Sequence, residues 1–254
     1  MLELDHLVIN TRFDTDAAQA TFERLGFTVS PRGYHTLGSI NHAIVFDGHY
    51  LELIGLPADG RTIREEIAAS PLGADGLVFR SDDPQRTFET LRAAGFEATP
   101  PQSFSRPVEP HGDARFVTVR LAPGQLPGGR VYFCQHLTPE LVFRDEWRTH
   151  PNGAFALARL HLVDAPQDAY ARLGALAPGF ELTFWSRAAF DAHFGALAHA
   201  LSTRSPRFAA VTIRTPQWHE IGRRAEAAGL PFEWLEARSI VLLPAFDTLL
   251  EFVP

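Results

Sequence analysis

The chain has 254 residues, of which 45% are hydrophobic and 21% charged, with a formal net charge of −7. Such proportions suit a globular protein with a sizeable core, built as one large domain or two ordinary ones. The acidic balance without basic runs argues against a nucleic-acid partner, the lack of an apolar run of ~18–20 residues against a membrane helix, and a single cysteine, Cys134, against a disulfide framework.

The opening Met1-Leu2-Glu3-Leu4-Asp5-His6 has no basic n-region, so no signal peptide is expected, and the reading is cytoplasmic. Leu4-Asp5-His6-Leu7-Val8-Ile9 is the first predicted strand. A helix follows that carries Phe22 and Leu25 on one face and ends at Gly26, a residue suited to the left-handed C′ position. Three extended segments come next, Phe27–Ser30, Asn41–Phe46 and Tyr50–Ile54, the last two joined by the hairpin turn Asp47-Gly48-His49. The order repeats in a second copy, with a strand around Asp75-Gly76-Leu77-Val78-Phe79, a helix through Phe88 and Leu91, then Gly95. Its later strands are Arg115–Leu121 and Arg130–His136, separated by a Pro- and Gly-rich loop. A third copy starts at Arg159-Leu160-His161-Leu162-Val163 and is degenerate, because beyond Phe180–Trp185 its strands have no clear place. The fourth runs from Ala209–Ile213 through a helix to Phe232–Leu235, Ser239–Leu243 and Thr248–Phe252.

Four repeats of one grammar define the architecture. The predicted fold is α+β: tandem βαβββ modules forming curved, cup-shaped mixed sheets with helices on the outside. Residues 1–138 form an N-terminal paired-module domain, 139–155 a linker, and 156–254 a degenerate C-terminal paired-module domain. The concave side of a cup is where a ligand would sit.

Leu4–Ile9 and the helix ending Arg24-Leu25-Gly26-Phe27 resemble the first strand and helix of the glyoxalase/bleomycin-resistance/extradiol-dioxygenase, or vicinal oxygen chelate, superfamily. The stretch Tyr34–Asn41 leading to Tyr50–Ile54 is similar to its glyoxalase-like branch, as is Phe133–Glu140 followed by His150-Pro151-Asn152-Gly153-Ala154. The resemblance covers essentially the whole chain and is strongest over residues 1–155. It implies a divalent metal ion in the cup, held by His or Gln from first strands and Glu or His from last strands. Residue by residue, His6 and Glu52 match these positions in the first copy. In the second copy Gly76 stands where the next His would be, and Gln135 is preferred over His136 as the match to Glu52. His161 and Glu251 form the corresponding pair of the second half, which is expected to be mainly structural or a support for dimerisation. Imidazole nitrogen with carboxylate oxygen suits Zn, Fe, Mn, Ni or Co without selecting among them.

Other residues are candidates by type. Tyr34, His35 and Asn41 form a polar loop that could cover the cup, or simply a turn flanking the hairpin. His35 is the candidate base. Arg80 could reach an anionic substrate or form a rim salt bridge. His42 and His49 read as solvated strand-edge and turn residues, and Cys134 as a buried apolar one. Two functions fit. The first is a divalent-metal-dependent enzyme acting on a small oxygenated molecule, its reaction open among isomerase, lyase, hydrolase and dioxygenase. The second is a metal-free protein that binds or sequesters a small molecule, like the bleomycin-resistance proteins. Gly76 and Ala210 at ligand positions and the 20 Phe residues favour this second reading. A homodimer is compatible with either, although no interface stripe stands out from the core.

Overall fold

The structure is a computed structural model that describes residues 1–60 and 64–254. The first half contains β1 (Leu4–Arg12), α1 (Thr15–Arg24), β2 (Gly33–Tyr34), β3 (Ile40–Val45), β4 (Tyr50–Gly55) and α2 (Glu65–Ala69). It continues with β5 (Gly73–Arg80), α3 (Pro84–Ala93), β6 (Gln102–Val108), β7 (Gly112–Arg120) and β8 (Arg130–His136). These strands form one eight-stranded sheet in the order β2-β3-β4-β1-β5-β8-β7-β6. In each unit the first and last strands, β1 with β4 and β5 with β8, pair in parallel. Such pairs need a crossover, which α1 and α3 supply. Where the units meet, β1 runs antiparallel to β5. The sheet curves until its edges touch, Thr36 N donating to Ser105 O at 2.8 Å.

Side-chain alternation divides this sheet into two faces. Leu7, Ile9, Leu51, Leu53, Val131 and Phe133 pack outward in one cluster with Ala18, Phe22 and Leu25. Each such burial contributes about 1.5–3 kcal/mol. Val8, Tyr50, Ile54, Tyr132 and Cys134 face inward and form a second cluster. Helix α1 ends at Gly26 with φ +88°, as the repeat grammar predicts. Helix α3 starts with Asp83 accepting from Arg86 N at 3.0 Å and Pro84 in its first turn. Two short pieces cover the cup. Asn10 Nδ2 donates to Ile67 O at 2.9 Å and holds α2 in place. A 3₁₀ turn (Pro139–Leu141) and α4 (Asp145–Arg148) bring Val142 and Trp147 against the inner cluster.

The second half contains β9 (Ala156–Val163), α5 (Gln167–Ala171), β10 (Glu181–Trp185), α6 (Arg187–Phe194) and α7 (Ala196–His199). After these come β11 (Arg207–Arg214), α8 (Trp218–Ala227), β12 (Phe232–Leu235), β13 (Arg238–Leu243) and β14 (Thr248–Val253). Its six strands are ordered β10-β9-β11-β14-β13-β12. The third unit keeps only two strands, and α6 and α7 bury Phe190, Phe194, Leu197 and Ala198 beside the sheet instead. The two halves share the largest apolar cluster, which joins Leu7 and Phe79 to Leu160, Phe208 and Phe252. Among the described residues no helix is long and apolar enough to cross a membrane.

Two sequence expectations change. Phe27–Ser30 is not a strand: Ser30 N donates to Ala43 O at 2.9 Å, but the return bond from Ala43 N goes to Ser30 Oγ at 2.8 Å, so a single backbone bond remains and no ladder forms. Strand β6 escaped the reading because Gln102, Ser103 and Ser105 make it polar and Pro107 lies within it, features tolerated at a sheet edge.

Candidate active site

The site begins with a bulge in β1. Pairing with β5 jumps from Leu4↔Phe79 to His6↔Val78, leaving Asp5 as an extra residue. A bulge re-aims a side chain, and here Asp5 turns to its own neighbour. His6 Nδ1 donates to Asp5 Oδ1 at 2.6 Å, and His136 Nε2 donates to the same oxygen at 3.0 Å. The His6 ring stacks on Tyr50 with centroids 4.3 Å apart. With Nδ1 committed to Asp5, Nε2 is the ring nitrogen left free to ligate. That atom faces the Tyr132 hydroxyl at 3.3 Å and Glu52 Oε2 at 3.7 Å.

Glu52 is only 4% exposed. Its Oε1 accepts from Asn41 Nδ2 at 2.7 Å, and among the described residues no hydrogen bond reaches Oε2. Burial would raise this carboxyl, but His6, His35, Asn41 and Arg64 outweigh it and hold the group below its ordinary range. Burial also acts on Asp5, yet His136 and His6 prevail and keep it well below the usual carboxylate value. The Tyr132 phenol is pushed up by burial and by Glu52, so it stays protonated.

A cavity of about 30 Å³ lies between these groups, lined also by His35, Arg64, Phe104, Arg106, Phe116 and Arg120. His35 Nδ1 meets Ser39 Oγ at 2.9 Å, and Arg64 NH1 donates to the same oxygen at 2.9 Å. Desolvation drives the His35 pKa down from 6.5 to about 4, with Arg106 and Arg64 assisting and Glu52 opposing. His35 is therefore neutral at pH 7. Because its folded pKa is depressed, the unfolded chain binds the proton first as the pH falls. Stability from this group is complete above pH 6.5 and is lost toward pH 4, a decline of about 3 kcal/mol. His35→Gln is expected to shrink the acid-induced drop in urea midpoint between pH 7 and pH 4.5. An undiminished drop in that variant would contradict the assignment.

Paired βαβββ units thus close into one curved mixed sheet with a His–carboxylate pair inside it. A model of the glyoxalase-like domain matches residues 4–177, more than half of the chain. The chain belongs to the glyoxalase-like domain family. Its fold is that of the vicinal oxygen chelate superfamily. A hypothetical protein from Staphylococcus aureus has the same fold at a TM-score of 0.68 and 10% identity, over 100% of both chains. A variant of 4-hydroxymandelate synthase from Streptomyces coelicolor matches at 0.56 and 15% identity, over 99% of this chain and 92% of that one. A xylose isomerase-like TIM barrel/4-hydroxyphenylpyruvate dioxygenase fusion protein matches at 0.57 and 12% identity, over 99% of this chain and 49% of that one. None of the curated proteins matches in sequence.

Within this glyoxalase-like protein, the register decides what the second unit contributes. His6 pairs with Tyr50, so Glu52 lies two residues further along β4. Gly76 pairs with Arg130, so the equivalent position on β8 is Tyr132, not Gln135. Gln135 points away from the cup and donates to Asp82 O at 2.6 Å. His136 turns inward but ends on Asp5. Of the other candidates, Asn41 and His35 line the cup, whereas Tyr34 is 57% exposed on the outer surface. Arg80 does not reach the cup. It donates to Gly48 O at 2.6 Å, lies 3.5 Å from Glu3, and lines a separate polar groove.

His42 and His49 are not solvated turn residues. His42 is 2% exposed with Nδ1 at 2.7 Å from Ser30 O. His49 Nε2 accepts from Leu157 N at 2.9 Å across the two halves. Asp5, Tyr132, Arg64, Arg106 and Arg120 are the site residues that sequence reasoning missed. Asp5, Cys134 and His136 also bring ligand-type atoms within 4.8 Å of one another. One thing weighs against a metal there: Asp5 Oδ1 already accepts from two imidazoles, although Asp5 Oδ2 and His136 Nδ1 are buried without a partner among the described residues.

In the second half His161 Nε2 and Glu251 Oε2 do meet, at 3.4 Å, with Thr212 bridging them. His161 Nε2 is 2.7 Å from Thr212 Oγ1, which donates to Glu251 Oε2 at 2.5 Å. The Arg238 guanidinium sits on the other oxygen of Glu251, where a bound cation would otherwise supply the positive charge.

Proposed function

We propose that the N-terminal cup is a divalent-metal-dependent active site for a small oxygenated molecule, with the ion held by His6 and Glu52. One observation carries this reading: His6 Nε2 and Glu52 Oε2 face each other at 3.7 Å while the other polar atom of each is fixed, Nδ1 by Asp5 and Oε1 by Asn41. Anchoring the far atoms of metal ligands in this way fixes tautomer and orientation. The donor set fits Zn, Fe, Mn, Ni or Co, and Tyr132 stands close enough to add a weaker oxygen.

When bound, the ion would act as a Lewis acid on substrate oxygens and stabilise an enolate or oxyanion. The chain supplies the rest. Neutral His35 can take or return a proton inside the same cavity. The Tyr132 hydroxyl, held protonated, can donate to a developing oxyanion. Phe104, Phe116, Ile54 and Val142 give the cavity apolar walls. Folds shared with a synthase and a dioxygenase fusion support an enzyme at the level of architecture alone.

Metal analysis by mass spectrometry on untagged, chelator-free protein tests the reading. Near-stoichiometric metal that disappears in Glu52→Ala is expected. Protein that stays metal-free after incubation with each ion would overturn it. That outcome would favour the second reading, a metal-free binding protein, for which the specific observation is that Gly76 and Tyr132 give the second unit no strong donor.

A further inference from the structure

Three guanidiniums line the cup, and they differ in one respect. Arg64 and Arg120 both contact Glu66 Oε1, at 2.7 and 3.3 Å. Arg106, by contrast, forms no ion pair and no side-chain hydrogen bond among the described residues, and its Nε is sealed from solvent without a partner. The residue is 4% exposed. Its position is built in. Phe104, Arg106 and Val108 alternate along the inner face of β6, and Gly33 opens the way across β2. A Cβ at Gly33 would lie 2.6 Å from Arg106 Cδ and 2.4 Å from Asn41 Oδ1. A buried, uncompensated cation is costly enough that natural proteins rarely keep one without a counter-charge. The one carboxylate lining this cavity, Glu52, acts on Arg106 only through space, since its oxygens are held by Asn41 and turned to His6.

We propose, resting on the reading of the cup as a ligand site, that Arg106 binds the anionic group of the substrate and that the substrate is a small organic carboxylate. A planar guanidinium matches a carboxylate in two parallel hydrogen bonds, which an ammonium cannot do. The space agrees with this choice. The cavity of about 30 Å³ has room for one or two waters or one carboxylate group. Arg120 and Tyr132 line both this cavity and a neighbouring groove of about 570 Å³, which has room for the rest of the molecule.

Calorimetric titration of chelator-treated protein with acetate, pyruvate and phenylacetate tests the proposal independently of any metal, whose presence is measured separately. Phenylacetamide and inorganic phosphate serve as the neutral and tetrahedral comparisons. At least one carboxylate should bind the wild type, and Arg106→Met and Arg106→Lys should each weaken it about tenfold or more. The ligand-free Tm of Arg106→Met should equal or exceed that of the wild type, since an unpaired charge is removed. The proposal is overturned if no carboxylate binds at millimolar concentration, or if Arg106→Met binds as the wild type does. Phenylacetamide binding as well as phenylacetate, or phosphate binding better than every carboxylate, would equally sink it. A lower ligand-free Tm in Arg106→Met would make the residue a structural one.

Discussion

Asp5→Ala is expected to destabilise the protein by about 2–5 kcal/mol, because it strands two buried imidazoles at once. Asp5 is fully buried and accepts from both His6 Nδ1 and His136 Nε2. The His6 ring, 3% exposed, has no water to turn to, whereas His136 borders the polar groove beside Arg80. For a chain of this size the loss corresponds to a fall in Tm of about 5–20 °C. The same substitution should weaken metal binding about 10- to 100-fold, since the carboxylate that orients a ligating His is gone. Asp5→Asn separates the two effects. It retains the shape but can accept from only one orientation, so stability should recover further than metal affinity. Thermal unfolding with and without added Zn or Co measures both, and a Tm for Asp5→Ala within 2 °C of the wild type would count against the network.

Gly76→Ala should cost about 3 kcal/mol although it adds one methyl group. Gly76 lies directly opposite Val8 on β1, and a Cβ there would come within 2.5 Å of Val8 Cγ2 and 2.6 Å of Val8 Cβ. Neither atom can yield, for Val8 is 1% exposed and β-branched. Strand β1 also carries Asp5 and His6, so any shift that relieves the clash disturbs the site. Gly76→His, which would restore the repeat's missing ligand, should therefore lose stability and gain no metal. Urea midpoints at unchanged slope read the effect. Val8→Gly in the Gly76→Ala background should return part of the loss as a coupling energy. A Gly76→Ala midpoint equal to the wild type would refute the close approach.

The ordered part of the sequence was legible because the repeat made it so. The positions of β1, β3, β4 and β8 follow from apolar runs and turns, and the fourth copy's strands appear where its pattern puts them. His6, Glu52, Asn41 and His35 meet in one cavity as strand positions and loop composition suggested. What stayed hidden depends on register and bulges. Asp5 beside His6 should face the other way in a regular strand, and only the bulge brings it round. Gln135 was preferred as the last-strand match to Glu52, yet the pairing of Gly76 with Arg130 gives that place to Tyr132. Tyr34 and His35 share a loop, but one faces outward and the other into the cup. Arg106 carried a signal that could have been used, since Phe104, Arg106 and Val108 share one face of an alternating strand. Its lack of a partner, however, is a property of the assembled cup.

The most direct measurement of the account is an anomalous-scattering map from crystals grown with Co or Zn, collected at the absorption edge of the metal. The account predicts a single strong peak about 2.0–2.2 Å from both His6 Nε2 and Glu52 Oε2, lost in Glu52→Ala. A peak among Asp5, Cys134 and His136 instead, or no peak in the cup, would contradict it.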